Sequence, residues 1–171
     1  AGGGLDVSSG EASEKASLNP MLKPRIEKVV VNMAVGKSGE PLDRAAKVLE
    51  QLTRQKPGKR KARKSIRDWG VRKGEPIACM VTLRGDEALE FLKRAFQAIE
   101  NKVSMRNFDM HGNFSFGIKE HIDIPGTKYV PELGIHGMDV IVTLSRPGHR
   151  VSRRHHAKSV VGLKHRLTPD E

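Results

Sequence analysis

The chain has 171 residues, with 31 Lys and Arg against 20 Asp and Glu, giving a formal net charge of +11 and a pI near 10.0. That length suits one domain around a single core, and 37% hydrophobic residues with a mean hydropathy of -0.49 fit a folded basic protein better than a disordered chain. No apolar run reaches the roughly 18 residues of a membrane span, the Gly/Ser-rich start lacks the basic flank of a signal peptide, and Cys79, the only cysteine, can make neither an internal disulfide nor a cysteine zinc site.

Residues 1–19 hold four Gly and four Ser with few large apolar groups, too little to offset the entropy of ordering, and are expected to be a flexible N-terminal arm. From Arg25 to Val35 the apolar residues Val29, Val31, Met33 and Val35 alternate with a second set containing Lys28, Val30, Asn32 and Ala34. This predicts a strand with one apolar and one partly polar face. Pro41 suits an early helix position, and Leu42, Ala45, Ala46, Leu49 and Leu52 form one helical stripe that Pro57-Gly58 must end. Lys59 to Lys64 reads as a charged loop and Ser65 to Arg72 as a strand, followed by a turn at 73–75 and a strand from Ile77 to Arg84. In that last strand Cys79 shares the face of Ile77, Val81 and Leu83, and Thr82 takes the other. A long helix follows, with Asp86 as its expected N-cap and Leu89, Leu92, Phe96, Ile99 and Val103 as its buried stripe. Asn113–Ile118 and Met138–Ser145 read as strands, with Thr143 on the more polar face of the second and a long connection over 127–137. A basic tail from Arg146 is irregular or shortly helical. The fold class is α+β, a mostly antiparallel sheet with helices packed on one face; residues 20–145 form the domain and 146–171 a basic extension of it.

The charge is not spread evenly. Residues 54–73 carry ten Lys and Arg against Asp68 alone, and residues 146–166 carry seven with no acid. The remainder holds 14 basic and 19 acidic groups, so a mildly acidic body bears two positive blocks. Clustering of one sign favours a polyanion partner over a merely soluble surface.

Catalytic motifs are weak by comparison. Gly36-Lys37-Ser38 follows a strand and precedes a helix, but a phosphate-cradling loop would need glycine where Val31 stands. His155 and His156 are adjacent, so their side chains diverge, and no HxxxH or HExxH pair occurs, which argues against a metal site. No nucleophile has a recognisable base beside it. Phe114 and Phe116, two apart, are expected to share one sheet face as core or interface residues rather than to stack bases, and aromatics are only 4% of the chain. The pattern points to a binding protein without catalysis or cofactor. Asn32, Thr82 and Thr143 on a sheet face can reach base edges and 2'-hydroxyls, while Lys and Arg engage phosphates.

Four blocks, IEKVVVNMAVGKSGE, RKARKSIRDWGVRKGEPIACMVTLRG, RNFDMHGNFSFGIKEHIDIPG and GIHGMDVIVTLSRPGHRVSRR, closely resemble the universal large-subunit ribosomal protein five family, which binds 5S rRNA. The resemblance runs from about Asn19 to Arg166 and leans to the archaeal branch. It implies a structural constituent of the cytoplasmic ribosome, in the central protuberance beside large-subunit rRNA and neighbouring ribosomal proteins, with a bridge to a small-subunit head protein. By that resemblance Asn32, Gln55 and Thr82 contact 5S rRNA, and the loop carrying Lys56, Lys59, Arg60, Lys61, Arg63 and Lys64 faces P-site tRNA. Arg67, Arg72, Arg146, Arg150, Arg153, Arg154 and Lys158 are expected to supply further rRNA phosphate contacts. Two positions depart from the family's habit: Ala34 replaces a usual glycine after Asn32-Met33, and Arg54 stands where many relatives have glycine. The alternative reading is a free-standing RNA-binding or RNA-chaperone domain outside the ribosome.

Overall fold

A computed structural model describes residues 19–168, so the expected N-terminal arm lies outside the described residues except for Asn19, as do the last three residues of the tail. The central strand is β1 (Arg25–Ala34), followed by helix α1 (Glu40–Thr53), β2 (Gly58–Lys61), β3 (Pro76–Leu83), helix α2 (Gly85–Ala98), β4 (Phe114–Ile118) and β5 (Met138–Ser145). The strands form one sheet in the order β2-β3-β1-β5-β4, and all four pairings are antiparallel. The α+β class read from the sequence is the class observed.

Alternation in β1 decides which face is covered. Val29, Val31 and Met33 register with Leu83, Val81 and Cys79 of β3, and Val29 and Val31 with Val142 and Val140 of β5. All eight are buried. Helix α1 packs over β3 and α2 over β1, bringing Leu42, Ala45, Val48, Leu49 and Leu52 from one helix and Ala88, Phe91, Leu92 and Ala95 from the other into the same core. Each large side chain fully buried there contributes roughly 1.5–3 kcal/mol relative to exposure. Phe114 and Phe116 face this side too, their rings 6.1 and 5.5 Å from that of Phe96, so they are core residues. Cys79 is buried among them; desolvation pushes its thiol pKa up, consistent with a packing role.

Four local expectations are corrected. The charged loop over 59–64 contains the edge strand β2, whose side chains are all exposed and which pairs with β3 through its main chain. Ser65–Arg72 is no regular strand: it continues the β2–β3 hairpin as a projecting arm with the single bridge Ile66–Val71. Asp86 does not cap α2, because the cap position is Arg84 and no side-chain cap bond forms there; Asp86 and Glu87 instead lie in the first turn, where acids suit the helix dipole. The buried stripe of α2 is rotated: Leu92 is buried and Phe96 and Ile99 pack against the core as expected, but Leu89 is 44% exposed. The alanines explain it. Ala88 and Ala95 carry little hydrophobicity but let the helix approach the sheet closely, and Phe91 fills the space between them.

The C-terminal extension is folded against the sheet end. Arg146 is buried and its guanidinium donates to the Arg166 carbonyl at 3.4 Å. Ring nitrogens of His149 and His165 hydrogen-bond the carbonyls of His165 and Pro147 at 3.1 and 2.8 Å. Arg153 pairs with Glu27 of β1, and this hydrogen bond holds the Glu27 carboxyl below its ordinary value despite partial desolvation.

Two outcomes follow from these contacts. At the end of α1, Arg54 sits in the left-handed region at φ 56, where its amide closes the helix on the Glu50 carbonyl at 2.7 Å. Glycine takes that conformation without the Cβ clash, so Arg54→Gly is expected to raise stability by about 0.5–1 kcal/mol in urea unfolding. Glu27→Gln is expected to lower stability at pH 7 by roughly 0.2–1 kcal/mol, the range for an exposed pair. Because the folded carboxyl is depressed, its contribution is present above the unfolded value of about 4.3 and lost as pH falls through the folded one. Unfolding midpoints of wild type and Glu27→Gln should therefore converge in acid.

Candidate nucleic-acid interface

Among the described residues no helix covers the second face of the sheet. By register it carries Lys28, Val30, Asn32 and Ala34 of β1, Ala78, Met80 and Thr82 of β3, Arg60 of β2, Asp139, Ile141 and Thr143 of β5, and Ser115 of β4. Asn32 lies between Met80 and Asp139, and Thr82 opposite Val30, one step along on the same face. Both are half-buried, which leaves an amide and a hydroxyl presented from a rigid, flat surface. Ile141 is 38% exposed at the centre, an apolar platform between polar groups. Such a face can hold a base plane and bond its edge.

Strand direction sets where the charge goes. Ala34 at the end of β1 pairs with Ala78 near the start of β3, whereas Arg25 at the beginning of β1 pairs with Ser145 at the end of β5. The β2–β3 arm and the C-terminal extension therefore leave the sheet at opposite ends. Ten residues of β1 separate them, about 30 Å at strand rise. The open face is bracketed by the two basic blocks.

The arm is held by main-chain bonds from Ala62 to Glu75, Gly74 to Ala62 and both ways across Ile66 and Val71, and ends in the turn Arg67-Asp68-Trp69-Gly70. Its root is fixed by Glu75, whose carboxylate accepts from the Ser38 hydroxyl at 2.5 Å and the Arg72 amide at 3.2 Å, chiefly the former holding its pKa below the ordinary value. The Gly36-Lys37-Ser38 turn is thus used to anchor the arm. Arg63, Lys64, Arg67, Arg72 and Lys73 are all exposed along it, and Trp69 at the tip is 74% exposed. An indole left in water at the end of a cationic finger has no packing role. It is the strongest feature that the sequence reading missed, although the lone Trp in a basic stretch was the available signal.

Other expected site residues are distributed unevenly. Gln55 is not on the open face, because its amide donates to Glu87 of α2 at 2.5 Å. Lys59 points to the helix side and pairs with Asp43 of α1 at 2.5 Å, whereas Arg60 in the same strand takes the open side. Lys56, Lys61, Arg150 and Arg154 are exposed. Arg146 is enclosed in the extension and suits a structural tie better than a phosphate contact. Among the described residues no three His, Cys, Asp or Glu side chains come together as a metal site, and no helix is long and apolar enough to cross a membrane.

Comparisons with known proteins place the chain in a family. The family description "Ribosomal protein L5" matches residues 19–72, and "ribosomal L5P family C-terminus" matches residues 76–166. The large ribosomal subunit protein uL5 of Aeropyrum pernix is 57% identical over 154 residues, covering 90% of this chain and 80% of the relative. Those of Pyrobaculum aerophilum and Nitrosopumilus maritimus are 54% and 52% identical over 153 residues, covering 90% of this chain and 86% and 88% of theirs. With both halves of the fold matched and archaeal relatives aligned over nine-tenths of its length, the chain belongs to the ribosomal protein L5 family.

Proposed function

We propose that this chain, a non-enzymatic structural constituent of the large ribosomal subunit, binds 5S rRNA on its open sheet face and reaches P-site tRNA with the tip of the β2–β3 arm. The observation that carries the reading is the uncovered polar face bracketed by basic groups at both ends. Asn32 and Thr82 supply base or sugar contacts and exposed cations supply phosphate contacts, so position and selectivity come from different residues. The tRNA-facing set shifts outward from the loop expected over Lys56–Lys64: Arg63 and Lys64 remain, Arg67 and Trp69 join them, and Lys59 is turned to α1. Large-subunit rRNA, neighbouring proteins of the central protuberance and a small-subunit head protein complete its surroundings in this reading.

Filter binding to 5S rRNA tests it. With six to ten phosphates engaged, affinity should fall about 10³- to 10⁵-fold between roughly 50 and 200 mM salt, on the scale known for duplex DNA. A nearly salt-insensitive complex would sink the reading. Asn32→Ala and Thr82→Ala are each expected to weaken binding about threefold to tenfold with unchanged thermal unfolding, the range for one lost hydrogen bond.

The arm has its own signature. Trp69→Ala combined with Arg67→Ala should leave 5S affinity within about twofold and speed tRNA release from reconstituted subunits; a loss of 5S binding instead would assign the arm to the other RNA. Co-sedimentation with large subunits at high salt separates this role from that of a free-standing RNA chaperone, which would remain in the supernatant.

A further inference from the structure

The C-terminal extension and the end of the sheet form an open cavity of about 580 Å³, within the ~300–1,000 Å³ range of small-molecule sites. Thr143, Leu144 and Asn113 form its sheet wall, and the 158–161 segment forms the facing wall, held where the Ser159 amide donates to the Val151 carbonyl at 3.2 Å. We propose that this cavity receives one unstacked nucleotide of the bound RNA, its base inside and its phosphate at the rim. The inference rests on the RNA-binding reading above and adds a specific seat to it.

Three observations point to a nucleotide. The lining includes the exposed cations Arg153 and Lys158, the half-buried Arg166, and His111 and His149, and no Asp or Glu lines the cavity. The Glu27 carboxylate is bound to Arg153, one of these cations. Inside, Leu144, Val161 and Leu167 offer apolar surface to a base, and Val160 stands 77% exposed at the mouth with nothing to bury it. Hydroxyls of Thr143, Ser152 and Ser159 can bond a base edge or a 2'-hydroxyl, and the imidazoles can stack. An acidic peptide would satisfy the rim cations but would leave the apolar interior unfilled.

Continuity supports the same occupant. Thr143 belongs both to the cavity wall and to the open face, where it registers with Lys28. A strand lying along that face toward the extension meets the cavity as it leaves the sheet. The walls are fixed beforehand: the His149, His165 and Arg166 bonds to carbonyls shape the extension without a ligand, so little ordering remains for binding.

The test uses the full chain, 5S rRNA and two variants on the exposed side of the extension, Ser159→Trp, which fills the cavity, and Lys158→Ala, which removes a rim cation. Ser159→Trp should weaken binding about tenfold or more with an unchanged salt slope, and Lys158→Ala should reduce the slope by about one. In 2'-hydroxyl acylation footprints, one nucleotide altered by wild type should return to its free reactivity with Ser159→Trp. If wild type binds RNA and both variants match it in affinity, slope and footprint, the cavity is not a nucleotide seat while the RNA reading stands. If wild type binds no RNA, both fall. A glutamate-rich octapeptide that binds wild type but not Lys158→Ala, without disturbing the RNA footprint, would reassign the cavity to an acidic protein segment.

Discussion

Everything in this fold depends on the period-two alternation of β1 at the centre of the sheet. Val29, Val31 and Met33 are buried under the helices and cannot exchange faces with Val30 and Asn32, because a one-residue slip would put Asn32 into the core and two valines into water. Each buried valine exposed that way forfeits roughly 1.5 kcal/mol or more. The same constraint that holds the helices on thereby holds Asn32 and Thr82 out. Stability and presentation of the open face are one requirement, met by the same residues.

Antiparallel pairing then distributes the charge. The hairpin joining β2 to β3 and the extension after β5 must leave from opposite strand ends, so two blocks far apart in sequence also stand apart in space. A single dense block would raise self-repulsion in one place. Separated by the length of a strand, the blocks can meet different polyanions, and the body between and behind them, with acids and bases nearly balanced over the described residues, adds little attraction of its own. Lysines along β2 serve a further purpose, since an edge strand of charged side chains resists pairing with another sheet.

The legible parts of the sequence were those in which one face is dry. β1, β3 and β5 announce themselves because burial forces alternation, and α1 because its stripe of Leu and Ala has helical spacing. β2 was hidden for the converse reason: Gly-Lys-Arg-Lys has no apolar partner set, and its pairing is made by backbone groups that every residue carries. The phase of α2 was misjudged by weighting Leu89 above Ala88, although close approach to a sheet rewards the smaller side chain. Asn32 and Thr82 were readable from parity alone. Gln55 was not, since its orientation is set by Glu87, 32 residues away. The cavity under the extension was equally invisible, because its walls come from the segment before β4, from β5 and from the tail, and are joined by bonds from arginine and histidine side chains to carbonyls.

Those bonds alter what the charge count means. In the tail, Arg146 is buried, Arg153 is paired with Glu27, and Arg154 and Arg166 each donate Nε–H to a carbonyl. Those bonds fix where the guanidiniums sit, shaping a pocket and tying it to β1, and the Glu27 pair alone offsets one of the charges. The arm differs: apart from the Lys59–Asp43 pair at its base, its cations extend into solvent on a narrow hairpin. Exposed charge on a projecting element meets a partner first and is felt over a Debye length of about 8 Å, whereas guanidiniums held by carbonyl bonds are preset in position for a close fit. The arm is thus suited to capture and the extension to fit. In the proposed reading the arm draws in tRNA while the extension holds 5S rRNA in register on the open face, whose few polar groups decide what stays.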